Sequence, residues 1–102
     1  MSTLHTVNKS PFSHTTLASC LCVCQPGDAL LLIEDGVYAA LASSPQAEQL
    51  QQAHKAGVRL YALEPDLGAR GLSGQHVEAI ELVDYTGFVR LSTEQQRTHS
   101  WY

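Results

Sequence analysis

Asp28-Ala29-Leu30-Leu31-Leu32-Ile33 is the stretch on which the fold turns. Its apolarity is continuous rather than alternating. A strand with one wet face alternates polar and apolar residues, so an unbroken run of this length bounded by turn residues reads as a strand covered on both faces, the habit of a parallel sheet. Pro26-Gly27 precedes it and Glu34-Asp35-Gly36 closes it.

Working outward, the flanks alternate between strand and helix. Leu4 to Val7 reads as a first short strand. Ser10 is an N-cap candidate with Pro11 at the first helical position, so a helix is expected from there to about Cys24, stopped by Pro26-Gly27. Val37 to Ala42 reads as a helical turn or two, and Ser44-Pro45 opens another helix that Gly57 ends. Val58 to Ala62 is the third strand. Glu64-Pro65-Asp66 starts a short helix ending near Gly71, and the fourth strand runs roughly from Val77 to Val83. Asp84 caps a last segment from Tyr85 that begins as helix, and Trp101-Tyr102 lie beyond every predicted element. Strand and helix alternating over short connections imply right-handed crossovers and a mainly parallel sheet of about four strands between helical layers.

The 102 residues fit one domain, 1–102, with a modest core. A hydrophobic fraction of 44% with 16% charged residues suits a folded chain, and the low charge suggests surface hidden against partners. The net charge of −4, with six scattered Lys and Arg, argues against direct nucleic-acid binding. No run reaches membrane-spanning length and Met1 to Ser10 has no signal-peptide core, so a cytoplasmic location is expected.

Few residues carry chemistry. The first strand-to-helix turn, Asn8-Lys9-Ser10-Pro11, has no glycine to bring backbone N–H groups onto a phosphate, so no nucleotide cofactor is expected. Gly71-Leu72-Ser73-Gly74 follows a helix and reads as a flexible turn. Glu34 and Asp35 are adjacent and point apart on an extended chain, which suits a solvated turn better than an acid/base pair. Glu64 and Asp66 read as first-turn charges at the positive end of a helix dipole. His5, His14, His54, His76 and His99 stand at no metal-ligand spacing to one another or to the cysteines, so no metal is expected; a Cys-x-Cys-x-Cys run could hold a soft ion only with a fourth ligand from elsewhere in the fold or from another chain.

The three cysteines, Cys20, Cys22 and Cys24, are the concentrated chemistry. At about 100° per residue, Cys20 and Cys24 share a helical arc with Leu17 and Leu21, while Cys22 shares the opposite arc with Thr15, Ala18 and Ser19. Cys22 is therefore expected to be the most exposed thiol and Cys20 the most internal. All three lie toward the helix C-terminus, where a thiolate is disfavoured, so packing is the simpler reading of Cys20 and Cys24. The aromatic tail Trp101-Tyr102 is expected to dock, against either a partner or the chain's own surface.

Four stretches carry a resemblance: Leu4 to Phe12 (LHTVNKSPF), Gly27 to Ala40 with its EDGVYAA, Val58 to Leu72 (VRLYALEPDLGARGL), and Val83 to Leu91 (VDYTGFVRL). Together with Trp101 they resemble the TusB/DsrH family of sulfur-relay proteins over nearly the whole chain. The resemblance implies a small three-layer flavodoxin-like or DsrE-like α/β fold. It also implies a heterohexamer with two related subunits, DsrE/DsrF-like or TusD/TusC-like, and a downstream small carrier resembling DsrC or TusE. Sulfur would travel as protein-bound persulfide, with the principal sulfur-carrying cysteine on the DsrE- or TusD-related partner. The DsrH branch serves intracellular sulfur oxidation through the reverse dissimilatory sulfite reductase pathway, and the TusB branch serves 2-thiolation of the transfer-RNA wobble uridine. Because DsrH-like members carry a cysteine in the first helix, matched here by Cys20, the resemblance leans toward sulfur oxidation with Cys20 as sulfur acceptor. The alternative is a non-catalytic assembly subunit in transfer-RNA thiolation. Cys22 and Cys24 match no family motif.

Overall fold

Leu30, Leu31 and Leu32 are each at most 1% exposed, which makes their strand the hydrophobic axis of the molecule. The computed structural model describes residues 2–102. In chain order it contains strand β1 (Thr3–Val7), helix α1 (Thr16–Val23), strand β2 (Ala29–Leu32), a 3₁₀ helix (Glu34–Ala40), helix α2 (Ala47–Lys55), strand β3 (Arg59–Leu63), helix α3 (Glu64–Ala69), strand β4 (Ile80–Val83), helix α4 (Tyr85–Glu94) and strand β5 (Arg97–Trp101). The sheet has five strands in the order β4-β3-β2-β1-β5, every pair parallel.

Period-two alternation sorts β2 onto the two faces. Leu30 and Leu32 pack with Leu17, Cys20, Leu50 and Leu67, beneath α1, α2, α3 and the 3₁₀ helix. Ala29 and Leu31 pack with Leu4, Leu63, Val83 and Leu91, beneath α4. The chain steps one way across the sheet from β1 to β4, then crosses the other face through α4 to reach β5 at the far edge. Opposite directions of travel with one crossover hand place α4 opposite the other helices. Burying each of the three leucines contributes about 1.5–3 kcal/mol.

The fifth strand corrects the expected count of four. Arg97, Thr98, His99 and Ser100 are all exposed and carry no hydrophobic alternation, so pattern alone cannot find this edge strand. It is built from backbone pairing with β1, in register from Thr3 with Arg97 to Val7 with Trp101. Helix α1 starts at Thr16, later than Ser10-Pro11 suggested. Residues 10–14 instead form a turn closed by the His14 N–H donating to the Ser10 carbonyl (3.0 Å) and the Phe12 N–H donating to Ser10 Oγ (3.2 Å). Polar and β-branched residues 13–16 favour such local bonding over helix. Strand β4 is shorter than expected, because the Val77 N–H donates to the Ala40 carbonyl (2.8 Å) and ties that residue to the 3₁₀ helix instead. Asp84 caps α4 as expected, accepting from the Gly87 N–H at 2.8 Å.

Gly36 is required by space. A Cβ there would lie 2.1 Å from the Val7 carbonyl oxygen, the same oxygen that accepts the Ile33 N–H at 3.0 Å. The 3₁₀ helix therefore seats directly on the carboxyl end of β1. Among the described residues, no helix is long and apolar enough to cross a membrane.

Candidate functional site

Helix α1 runs antiparallel to β1, so its last turn lies over the amino ends of the strands, away from the carboxyl ends where ligands of such folds usually bind. There the cysteine arc meets the inward face of β1. Cys20 is fully buried, Cys24 is half-buried as the C-cap residue of α1, and Cys22 is exposed, the order that the helical wheel predicts. The two sulfurs on the shared arc stand 3.9 Å apart.

His5, mid-strand in β1 and only 4% exposed, completes the cluster. Its Nε2–H donates to Asp28 Oδ2 at 3.0 Å, and its Nδ1 accepts the Trp101 indole N–H at 3.1 Å. An indole nitrogen only donates, so Nδ1 must be bare and Nε2 must carry the proton. Asp28 is itself fixed by the Thr3 N–H on Oδ1 (3.0 Å) and the Gln25 N–H on Oδ2 (2.9 Å). One carboxylate thus ties together β1, the turn after α1 and the start of β2. Burial works to raise its pKa, but the Gln25 N–H, His5 and the Thr3 N–H outweigh that and hold it below the ordinary carboxylate value. Trp101 also stacks on His99, centroids 4.6 Å apart. The aromatic residue expected to dock somewhere therefore docks on its own chain, in β5.

One S–H···S hydrogen bond joins the two thiols. Cys20 is pushed far up, first by its hydrogen bond to Cys24, then by burial and by the negative charges of Cys24 and Asp28. Cys24 is pulled down by the hydrogen bond that Cys20 gives it, against burial and Asp28. Cys24 is therefore the first of the pair to lose its proton, and its sulfur, the one nearer solvent, also lines an open cleft of about 330 Å³ between α1 and α2 with Cys22, Gln49, Gln52 and Ala53. Cys20, the residue the resemblance singled out, has no surface of its own. A second cleft of about 480 Å³ lies on the far side of the cluster, walled by His5, Asp28, His99 and Trp101.

Sequence spacing hid this assembly. His5, Cys20 and Cys24 have ligand atoms all within 4.8 Å of one another, although fifteen or more positions separate the histidine from either cysteine. Sequence pattern makes Asp28 a strand leader and Trp101 part of a docking tail, and gives neither its contact with His5. The one available signal was a histidine inside an otherwise β-forming strand, which must find a buried partner. At the other end of the sheet Glu64 and Asp66 do lie in the first turn of α3, but Glu34 and Asp35 open the 3₁₀ helix rather than a solvated extended turn. Asp66 accepts the Glu34 N–H at 2.6 Å, and exposed Asp35 pairs with Arg70 at 2.9 Å.

Comparison with known proteins agrees with this architecture. The model of the DsrH-like protein family matches residues 9–98. Protein TusB of Escherichia coli K12 is 43% identical over 98 residues, covering 96% of this chain and 99% of the relative, and TusB of Klebsiella pneumoniae strain 342 matches equally well. In three dimensions, the MTH1491 protein of Methanobacterium thermoautotrophicum superposes with a TM-score of 0.81 at 16% identity, covering 97% of each chain. The Escherichia coli ychN protein superposes at 0.78 and 15% identity, covering 98% of this chain and 99% of its own. Both structural likenesses speak for the fold alone. The sequence relatives carry the TusB name, against the lean toward the DsrH branch that rested on Cys20. The chain belongs to the TusB/DsrH family.

Proposed function

We propose that this chain is an assembly subunit of a cytoplasmic sulfur-relay complex serving 2-thiolation of the transfer-RNA wobble uridine. The supporting observation is the near full-length similarity, at 43% identity, to proteins named TusB. In this reading its partners are two related subunits in a heterohexamer and a small downstream carrier, and the principal persulfide-bearing cysteine belongs to a partner. Burial of Cys20 fits that division, because a thiol without exposed surface meets no donor unless the helix opens. Sulfur oxidation would lean on that same thiol. The exposed apolar side chains Phe12, Tyr85 and Val89 fit a surface made for docking. Tyr85 and Val89 stand four apart on α4, hence on one helical face.

The test is genetic and chemical together. Deleting the chain should abolish wobble 2-thiouridine, measured by mass spectrometry of digested transfer RNA. Re-expression of the Cys20→Ser variant should restore it, and the tagged chain should co-purify the two related subunits. Unchanged thiouridine after deletion would overturn the reading. Restoration by wild type but not by Cys20→Ser would return the sulfur-carrying role to Cys20.

A further inference from the structure

We propose that His5, Cys20 and Cys24 form a binding site for a thiophilic d¹⁰ cation, with Zn²⁺ as the ion to test. The site goes beyond the relay reading and stands or falls without it.

Three observations carry the proposal. The first is sulfur geometry. Two thiolates about 2.3 Å from one tetrahedral ion lie roughly 3.8 Å apart. The sulfurs of Cys20 and Cys24 already stand at 3.9 Å, so the ion would need no backbone movement to bridge them. The second is the third donor. His5 places a ring nitrogen within 4.8 Å of both sulfurs. A modest approach of the ring would bring it into coordination.

The third observation is the shell behind that histidine. Asp28 takes the Nε2 proton and is anchored by the Thr3 and Gln25 backbone N–H groups, so the tautomer is set with the lone pair on Nδ1. With Nδ1 as the ligating nitrogen, Asp28 behind the imidazole would make the arrangement that orients histidines at metal sites and raises their basicity. The Trp101 indole N–H occupies that lone pair. Trp101 would have to swing aside on binding. It sits on the edge strand and is only partly buried, so it has room to do so.

The pieces supply two thiolates and one imidazole, with a fourth position left for water or an incoming thiolate. Cys24 opens onto the cleft between α1 and α2, which provides the entry path. Each thiol releases its proton to solvent as its metal–sulfur bond forms, so one Zn²⁺ ion leaves two protons behind.

The experiment uses the full chain, purified with chelator and then freed of it. Zn²⁺ is added against a chromophoric zinc indicator, and native mass spectrometry counts ions per chain. One ion per chain is expected. The single tryptophan, Trp101, should change its fluorescence on binding. Cys20→Ser and Cys24→Ser should each weaken binding by about tenfold or more, and Cys22→Ser should leave it unchanged. Trp101→Phe removes the competing N–H and should tighten binding. Circular dichroism of each variant separates lost ligation from lost fold. No retained zinc in the folded wild type would overturn the proposal. Equal weakening by Cys22→Ser, or binding indifferent to both Cys20 and Cys24, would overturn it as well.

Discussion

Replacing Asp28 by Asn should destabilise the fold by at least about 3 kcal/mol, far more than removing a charge normally does at the surface. Asp28 is 3% exposed, and three donors converge on it: the N–H groups of Thr3 and Gln25 and the Nε2–H of His5, all at 2.9–3.0 Å. The carboxylate offers two acceptor oxygens, whereas the amide offers one. In its better orientation Asn keeps its oxygen toward Gln25 and His5 and turns its NH₂ group onto the Thr3 N–H. One donor then faces a donor, at a cost of about 1–3 kcal/mol, and the two remaining hydrogen bonds each lose about 1 kcal/mol of charge assistance. His5 offers little relief by switching tautomer, because the Trp101 indole already requires a bare Nδ1. For a domain of this size a loss of about 3 kcal/mol corresponds to a fall in Tm of about 12–24 °C. Urea titration followed by far-UV circular dichroism, in chelator, measures it. Asp35→Asn is the control: its carboxylate is 61% exposed and pairs only with Arg70, so the change should stay below about 0.5 kcal/mol. A loss at Asp28 no larger than at Asp35 would refute the claim that this carboxylate locks β1, β2 and the end of α1 together.

Other perturbations test other parts of the structure. Gly36→Ala forces a methyl group onto the Val7 carbonyl and should cost about 3 kcal/mol or more, seen as loss of soluble protein or a collapsed urea midpoint. Leu31→Ala empties a fully buried site beneath α4 and should cost about 3 kcal/mol by the same titration. Arg70→Ala breaks a bond to an exposed carboxylate and should change stability by less than about 1 kcal/mol, which thermal unfolding can check. Trp101→Phe should leave His5 in its Nε2–H tautomer, still held by Asp28, as read from imidazole nitrogen shifts by NMR, at a stability cost of about 1 kcal/mol for the lost indole bond.

The amphipathic arc of α1 was legible because helical spacing depends only on chain geometry. That spacing alone orders the three thiols by exposure. The cap at Asp84 was legible for the same reason: the carboxylate reaches an N–H three residues ahead. β5 was not, because a strand at a sheet edge is held by backbone pairing, and backbone pairing leaves no trace in side-chain pattern when every residue but Trp101 faces water.

From its residues alone the chain determined the parallel α/β plan, since Ala29 to Ile33 can be satisfied only by cover on both faces, and the TusB/DsrH kinship, since that lies in letters. The tertiary structure decided the site. His5, Cys20, Cys24, Asp28 and Trp101 come from two strands, a helix end and a turn, and ninety-six positions separate the indole from the imidazole it bonds. Contacts between elements distant along the chain depend on how layers dock, and no local propensity encodes that.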